Sequence, residues 1–263
     1  MNTFNLPKIP RSIRGLIRNG ELTKPTTGMA PGYVQSNLVI LPKDLAFDFL
    51  LFCKRNPKPC PVIDVVESGL YEPINTAPGA DLRVDVAMYS VFKYGELECE
   101  VEDITEYWRE DFVSFLIGCS FTFESALIQS GISLKHVENA TNVSMYVTNI
   151  QTERAGVFRG PMVVTMRPIP RNKVDQAIQI TARYPAVHGA PIHVGDPSEI
   201  GIKNICKPDF GDPVELIDDE VPVFWACGVT PQVVARSSKP ELMITHSPGY
   251  MFITDIKDED LQE

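Results

Sequence analysis

VPVFWACGVTPQ, residues 221–232, decides the fold. Val221 to Ala226 is an apolar run of strand length, and Cys227-Gly228-Val229 turns it at once into a second element. Thr230 as N-cap and Pro231 at the first helical position predict a helix through Ser237. Strand, tight turn and helix in immediate succession predict an α/β protein. Ligands of open α/β sheets bind beyond the carboxyl ends of strands, and helix N-termini favour anions. Gly228 and Thr230 are therefore candidate substrate-binding positions and Cys227 a candidate proton donor; simple strand–helix packing with Gly228 as the turn is the alternative. The turn has neither GxGxxG nor GxxxxGK, so nucleotide binding lacks support.

Working outward, FLIGCSFTFE (115–124) repeats the pattern. Its apolar run fits a buried strand or a helix, and a helix follows from Thr122 to Gln129. A thiol at a helix start is expected to ionise more easily, which makes Cys119 a candidate nucleophile or acid. Glu124 either favours the helix start or serves as an acid or base. Gly118 and Ser120 supply backbone N–H groups. Earlier, Ser12 to Asn19 and Pro42 to Arg55 read as helices, Val62 to Val66 as a strand, and Asp81 to Glu102 as a hairpin turning at Tyr94-Gly95. Val84, Val86, Val91, Phe92, Leu97 and Val101 are its expected buried positions. In the middle, strands Val143–Ile150 and Gly160–Pro168 precede a helix Asn172–Arg183. That order predicts a small α+β lobe, residues 122–189, inserted into a main α/β lobe of 1–121 and 190–263. Leu242 to Thr245 is a last strand, and KDEDLQE (257–263) an expected solvated tail.

The totals narrow the function. A chain of 263 residues with 44% hydrophobic and 22% charged residues is of globular composition. Its 22 prolines, against about 13 at average usage, predict rigid shaped loops. A net charge of −10 with scattered Lys and Arg excludes the basic stripe that nucleic acids need. Six cysteines show no CxxC or zinc spacing, the N-terminus has no apolar leader, and no stretch suits a membrane span. A cytoplasmic protein with reduced thiols is expected, with a small-molecule partner and no nucleic acid or membrane.

Other candidates sit in loops. His246, just past a strand, and Asp255, beyond a Pro-Gly turn, form a possible base and its orienter. His188, His193 and Asp196 are of ligand type, although nothing resembles HExxH and no metal set is assigned. Tyr33, Gln35 and Asn37 alternate as pocket-wall residues would. Arg159 and Arg167 suit a bidentate grip on a carboxylate. Trp108 and Trp225 read as core.

Several of these segments, with GMAPGYVQSNLVILP (28–42), FCKRNPKPCP (52–61), APGADLRVD (77–85), RGPMVVTMRPIP (159–170), RYPAVHGAPIHVGDP (183–197), GIKNICKPDFGDPVE (201–215) and ITHSPGYMFITD (244–255), resemble the bacterial D-glutamate cyclase family, also grouped as hydro-lyases. The resemblance runs from about Ile13 to Asp260. It implies a three-layer α/β main lobe with a smaller two-layer α+β lobe, and a lyase that removes water. It further implies conversion of D-glutamate to 5-oxo-D-proline, with Mg or Mn as a possible aid and no certain cofactor. It carries over no catalytic residue.

That chemistry needs a base for the ammonium, an oxyanion site, a proton donor for the departing oxygen and a grip on the α-carboxylate. The sequence assigns these in turn to His246 with Asp255; the amides of Gly118 to Ser120 and Gly228 to Thr230; Cys119, Cys227 or Glu124; and Arg167 or Arg159. Elimination of water from a small hydroxy acid and carboxylate binding without turnover are the competing readings. Substrate handedness and oligomeric state are not legible.

Overall fold

The computed structural model describes residues 9–262. Its elements are α1 (Pro10–Arg18), β1 (Tyr33–Pro42), α2 (Lys43–Arg55), β2 (Val62–Val66), β3 (Tyr89–Lys93), β4 (Glu96–Val101), β5 (Phe112–Gly118), α3 (Phe121–Gln129) and α4 (Lys135–Glu138). There follow β6 (Ser144–Gln151), β7 (Pro161–Pro170), α5 (Val174–Ala182), β8 (His193–Val194), β9 (Glu220–Ala226), α6 (Thr230–Ser238), β10 (Leu242–His246) and β11 (Phe252–Lys257). The mixed α/β expectation holds, in the form of two antiparallel sheets. One is ordered β2-β5-β1-β10-β3-β4 with β11 also on β1, the other β6-β7-β9-β8.

Alternation along β1 sets the layers of the first sheet. Val39 and Leu41 pack with Phe49 and Phe52 of α2 and Val234 of α6, whereas Leu38 and Ile40 face Ala77, Leu82, Val86 and Ile104 of an irregular segment. The second sheet packs Ile169, Val223 and Trp225 against α3 and α5, with Tyr146, Met166 and Phe224 on its other face. The short run at 112–118 resolves as a strand because both its neighbours, β1 and β2, need a partner there. β8 and β9, beyond the boundary expected at residue 189, complete the second sheet, so that sheet crosses it.

One edge of β1 is shared by two short strands. β11 pairs with Tyr33 to Ser36, and β10 with Val39 and Ile40. The chain leaves the sheet between them, from Ser247 to Met251. β11, which follows the Pro248-Gly249 turn and carries the β-branched Ile253, Thr254 and Ile256, extends the fold beyond the last expected strand, Leu242 to Thr245. The expected hairpin forms through Tyr94 (φ 50°) and Gly95 (φ 81°), both left-handed as a two-residue turn requires. Leu97 is exposed rather than buried, because β4 is an edge strand with one face open. The tail is not simply solvated: Asp258–Leu261 forms a 3-10 turn with Asp258 buried and Leu261 packed on the second core, while residues 1–8 and Glu263 lie outside the described part. Among the described residues no helix is long and apolar enough to cross a membrane.

Candidate active site

Two strand–turn–helix units cross between the sheets in opposite senses. Gly118-Cys119-Ser120 leads from β5 of the first sheet into α3, which packs on the second. Cys227-Gly228-Val229 leads from β9 of the second sheet into α6, which packs on the first. The two turns meet at Asn37 of β1. Asn37 Nδ2 donates to the Gly118 carbonyl at 2.8 Å, and a Cβ on Gly228 would lie 1.9 Å from that same nitrogen. Glycine at 228 is thus dictated by closeness.

At this junction lies a small, partly open cavity. The two turns contribute Cys119, Ser120, Cys227 and Gly228, and Asn37 lies between them. Asn142, Thr165, Gly249 and the ligand-type candidate His188 line it as well. The cavity leaves out His246, Asp255, Arg159, Tyr33 and Gln35.

The polar side is built on a buried cation. Arg167 of β7 is fully buried; its Nη1 donates to the Thr165 hydroxyl and its Nη2 to the Ser120 hydroxyl, each at 3.0 Å. Its charge is met by Glu124, which accepts from Arg167 Nε at 3.0 Å and pairs with His136 Nε2 at 2.9 Å. Burial opposes the charge on Glu124, but His136 and Arg167 together hold its carboxyl below the usual range. Glu124 is therefore a fixed counter-ion, not a proton donor. A guanidinium never accepts a hydrogen bond, so the hydroxyl protons of Ser120 and Thr165 remain available to a ligand. The N–H groups of Ser120 and Gly228 have no protein acceptor among the described residues. The Gly118 amide, by contrast, donates to the Pro61 carbonyl at 2.8 Å and is removed from the expected oxyanion set. Thr230 lies inside α6 rather than at its N-cap: its hydroxyl donates to the Cys227 carbonyl at 2.6 Å and accepts from the Val163 amide, which fixes the turn.

Acceptors and a base complete the cavity. Asn142 Nδ2 donates to the Pro248 carbonyl at 3.3 Å, leaving Oδ1 buried without a partner. His188 Nδ1 lies 2.6 Å from the Lys58 carbonyl, which only accepts, so Nδ1 carries the proton and Nε2 the lone pair. Burial pushes the His188 pKa down to about 4. The ring is neutral at physiological pH. His188 also holds a left-handed backbone (φ 87°), a strained placement for a residue with a side chain. Burial pushes both thiols up, Cys119 strongly and Cys227 to about 11. Desolvation thus outweighs the helix-start effect expected for Cys119, and both sulfurs stay protonated.

The remaining expectations are corrected. His246 does not pair with Asp255: its Nδ1 accepts the Leu38 amide at 3.1 Å, while Asp255 is gripped by Arg14 Nη1 and Nη2 at 3.1 and 2.9 Å. Leu38 sits between the stretches of β1 paired with β11 and β10, so the imidazole satisfies an amide the sheet leaves open. Arg159 is exposed, with its backbone bonded to Ser238 at the far end of α6. Tyr33 and Gln35 line a separate hollow. His193 bonds the Asp196 carbonyl and His188 that of Lys58. Among the described residues no three His, Cys, Asp or Glu side chains converge as a set of metal ligands. Trp225 is core, as expected.

A neutral imidazole, two protonated thiols and several hydrogen-bond donors thus gather at one partly open α/β junction. The D-glutamate cyclase family model matches residues 113–255. The chain is 63% identical over 250 residues to a protein of Thermoanaerobacter sp. (strain X514), covering 95% of this chain and 94% of that one. It is 60% identical over 252 residues to YcsI of Bacillus subtilis, covering 96% and 98%. Both relatives carry the name "Putative hydro-lyase". The chain belongs to the D-glutamate cyclase family. A nitrogen repressor-like protein of Methanococcus jannaschii overlays 91% of this chain and 96% of its own at a TM-score of 0.38 and 9% identity, too loose to bear on function.

Proposed function

We propose that this cavity performs the dehydrating cyclisation of D-glutamate to 5-oxo-D-proline. The observation that carries the reading is a separation of roles within one cavity. Ser120 and Thr165 hydroxyls and the amides of Ser120 and Gly228 offer donors, whereas Asn142 Oδ1 and His188 Nε2 offer acceptors. An amino acid with a carboxylate and an ammonium is complementary to that arrangement.

In this reading Asn142 Oδ1 holds the ammonium and His188 takes a proton from it. The freed amine attacks the side-chain carboxyl, forming the ring C–N bond. Charge on the tetrahedral oxygen is stabilised by the preorganised donors. One C–O bond then breaks, with Cys119 or Cys227 supplying a proton and recovering it. Two protons leave nitrogen and two arrive on the departing oxygen, so water is released with no net exchange. Arg167 does not touch the substrate; it orients and polarises the two hydroxyls.

The test is incubation of the full chain with D- or L-glutamate, with and without Mg²⁺ or Mn²⁺, followed by chromatography for 5-oxoproline. Product from the D isomer is expected. Tight binding of either compound without product would instead make the chain a carboxylate-binding protein. Solvent deuterium at the α-carbon would favour elimination over cyclisation.

A further inference from the structure

A second, partly open hollow adjoins the cavity of Cys119 and Cys227, and Phe121 lines both. Its walls are mostly apolar, with Met29, Ala30 and Pro31 from the loop before β1 and Ile128 and Val137 from α3 and α4. Two residues of the lining carry a buried acceptor without a partner among the described residues: Gln35 through Oε1 and Asp258 through Oδ1. They are only 3% and 8% exposed. The Gln35 amide is fixed, because Nε2 donates to the Thr26 and Met29 carbonyls at 3.1 and 3.0 Å. Asp258 is placed by its own amide, which donates to the Gly32 carbonyl at 3.1 Å. Glu124 also lines the hollow, but Arg167 and His136 already meet its charge.

An amide oxygen and an ionised carboxylate accept hydrogen bonds and cannot donate them. They repel an anion and leave a cation with N–H groups as the matching ligand. A hard metal ion needs about six oxygens, which two acceptors among apolar walls do not provide. Burial without a counter-ion pushes the Asp258 carboxyl up to about 7, as expected of an acid that lacks its cation.

We propose that this hollow is a second ligand site, which takes a primary ammonium on a short apolar body. Asp258 and Gln35 receive the N–H groups, and Met29, Phe121 and Ile128 cover the body. The site stands independently of the catalytic reading, because its test reads binding and not turnover.

The probe is 3-methylbutylammonium, titrated calorimetrically into the full chain in mildly alkaline buffer, with 3-methylbutanol and 3-methylbutanoate as controls. Saturable binding of the amine is expected, about tenfold tighter than the alcohol and absent for the acid. Asp258→Asn should weaken it by about tenfold, and Ile128→Trp, which fills the hollow, should abolish it. Thermal melts of both variants verify folding. No saturable binding, or unchanged affinity in both folded variants, overturns the proposal. Competition by D-glutamate also overturns it, by making the hollow part of the catalytic site.

Discussion

His188 donates from Nδ1 to the Lys58 carbonyl at 2.6 Å, which fixes the tautomer of a neutral ring inside the cavity. A base must be unprotonated to act, and burial pushes this one down to about 4. The acid limb of kcat/KM is therefore expected near that value, well below the usual histidine range. His188→Gln should lower kcat by about a hundredfold or more while leaving the melting temperature close to that of the parent. A parent-like kcat in a folded His188→Gln variant would remove the residue from the chemistry.

Ser120 and Thr165 owe their role to Arg167. Ser120→Ala and Thr165→Val should each raise KM or lower kcat by about tenfold, since each removes one donor. Glu124→Gln acts differently. It strands a fully buried guanidinium, and urea unfolding should report a loss of about 3–5 kcal/mol. Equal stability in that variant would contradict the ion pair described here.

His246 is expected to be structural. His246→Ala orphans the buried Leu38 amide and should cost about 1–3 kcal/mol without changing the acid limb of the rate profile. Burial pushes this ring also down to about 4. Unfolded histidine takes up its proton near 6.5, so the unfolded chain binds more protons between about 6.5 and 4. The stabilising contribution is complete above that window and is lost as pH falls through it. For His188 and His246 together the slope approaches about 1.4 kcal/mol per pH unit for each ring. Urea midpoints measured across the window should fall with acidification, and less steeply in His246→Gln.

At Gly228 the expectation is steric. A methyl group there would sit inside the Asn37 side chain, 1.9 Å from Nδ2. Gly228→Ala should push the two turns apart, lowering turnover by about tenfold or more and the melting temperature by several degrees. A crystal structure of an active Gly228→Ala variant with Asn37 unmoved would refute the close approach.

Much of this was legible in the residues. The strand–turn–helix pattern at 221–238, and the helix start at 122 with its preceding apolar run, bring Cys119, Ser120, Cys227 and Gly228 to one junction. Asn37 and Arg167 are legible candidates as well, although Arg167 is bound to the Ser120 and Thr165 hydroxyls rather than free to clamp a ligand. His246 and Asp255 were joined by their nearness in sequence, whereas opposite positions at a split strand edge hand one to Leu38 and the other to Arg14. His188, Asn142 and Thr165 depend on contacts across more than one sheet, and sequence spacing carries no such information. A histidine followed by glycine in HGAP, at a left-handed position, was the one local hint for His188.

The shared edge of β1 has a consequence for how the molecule comes into being. β10 and β11 lie near the end of the described chain, yet they pair with one of its first strands, so Asn37 must wait for residues more than two hundred positions later. Until those arrive during synthesis, β1 carries a bare apolar edge that invites other chains. Pairing over such distances is slow, on the order of milliseconds to seconds. Nascent chains stalled before Leu242 should therefore be sticky and inert, and the cavity beside Asn37 is among the last parts of the protein to exist.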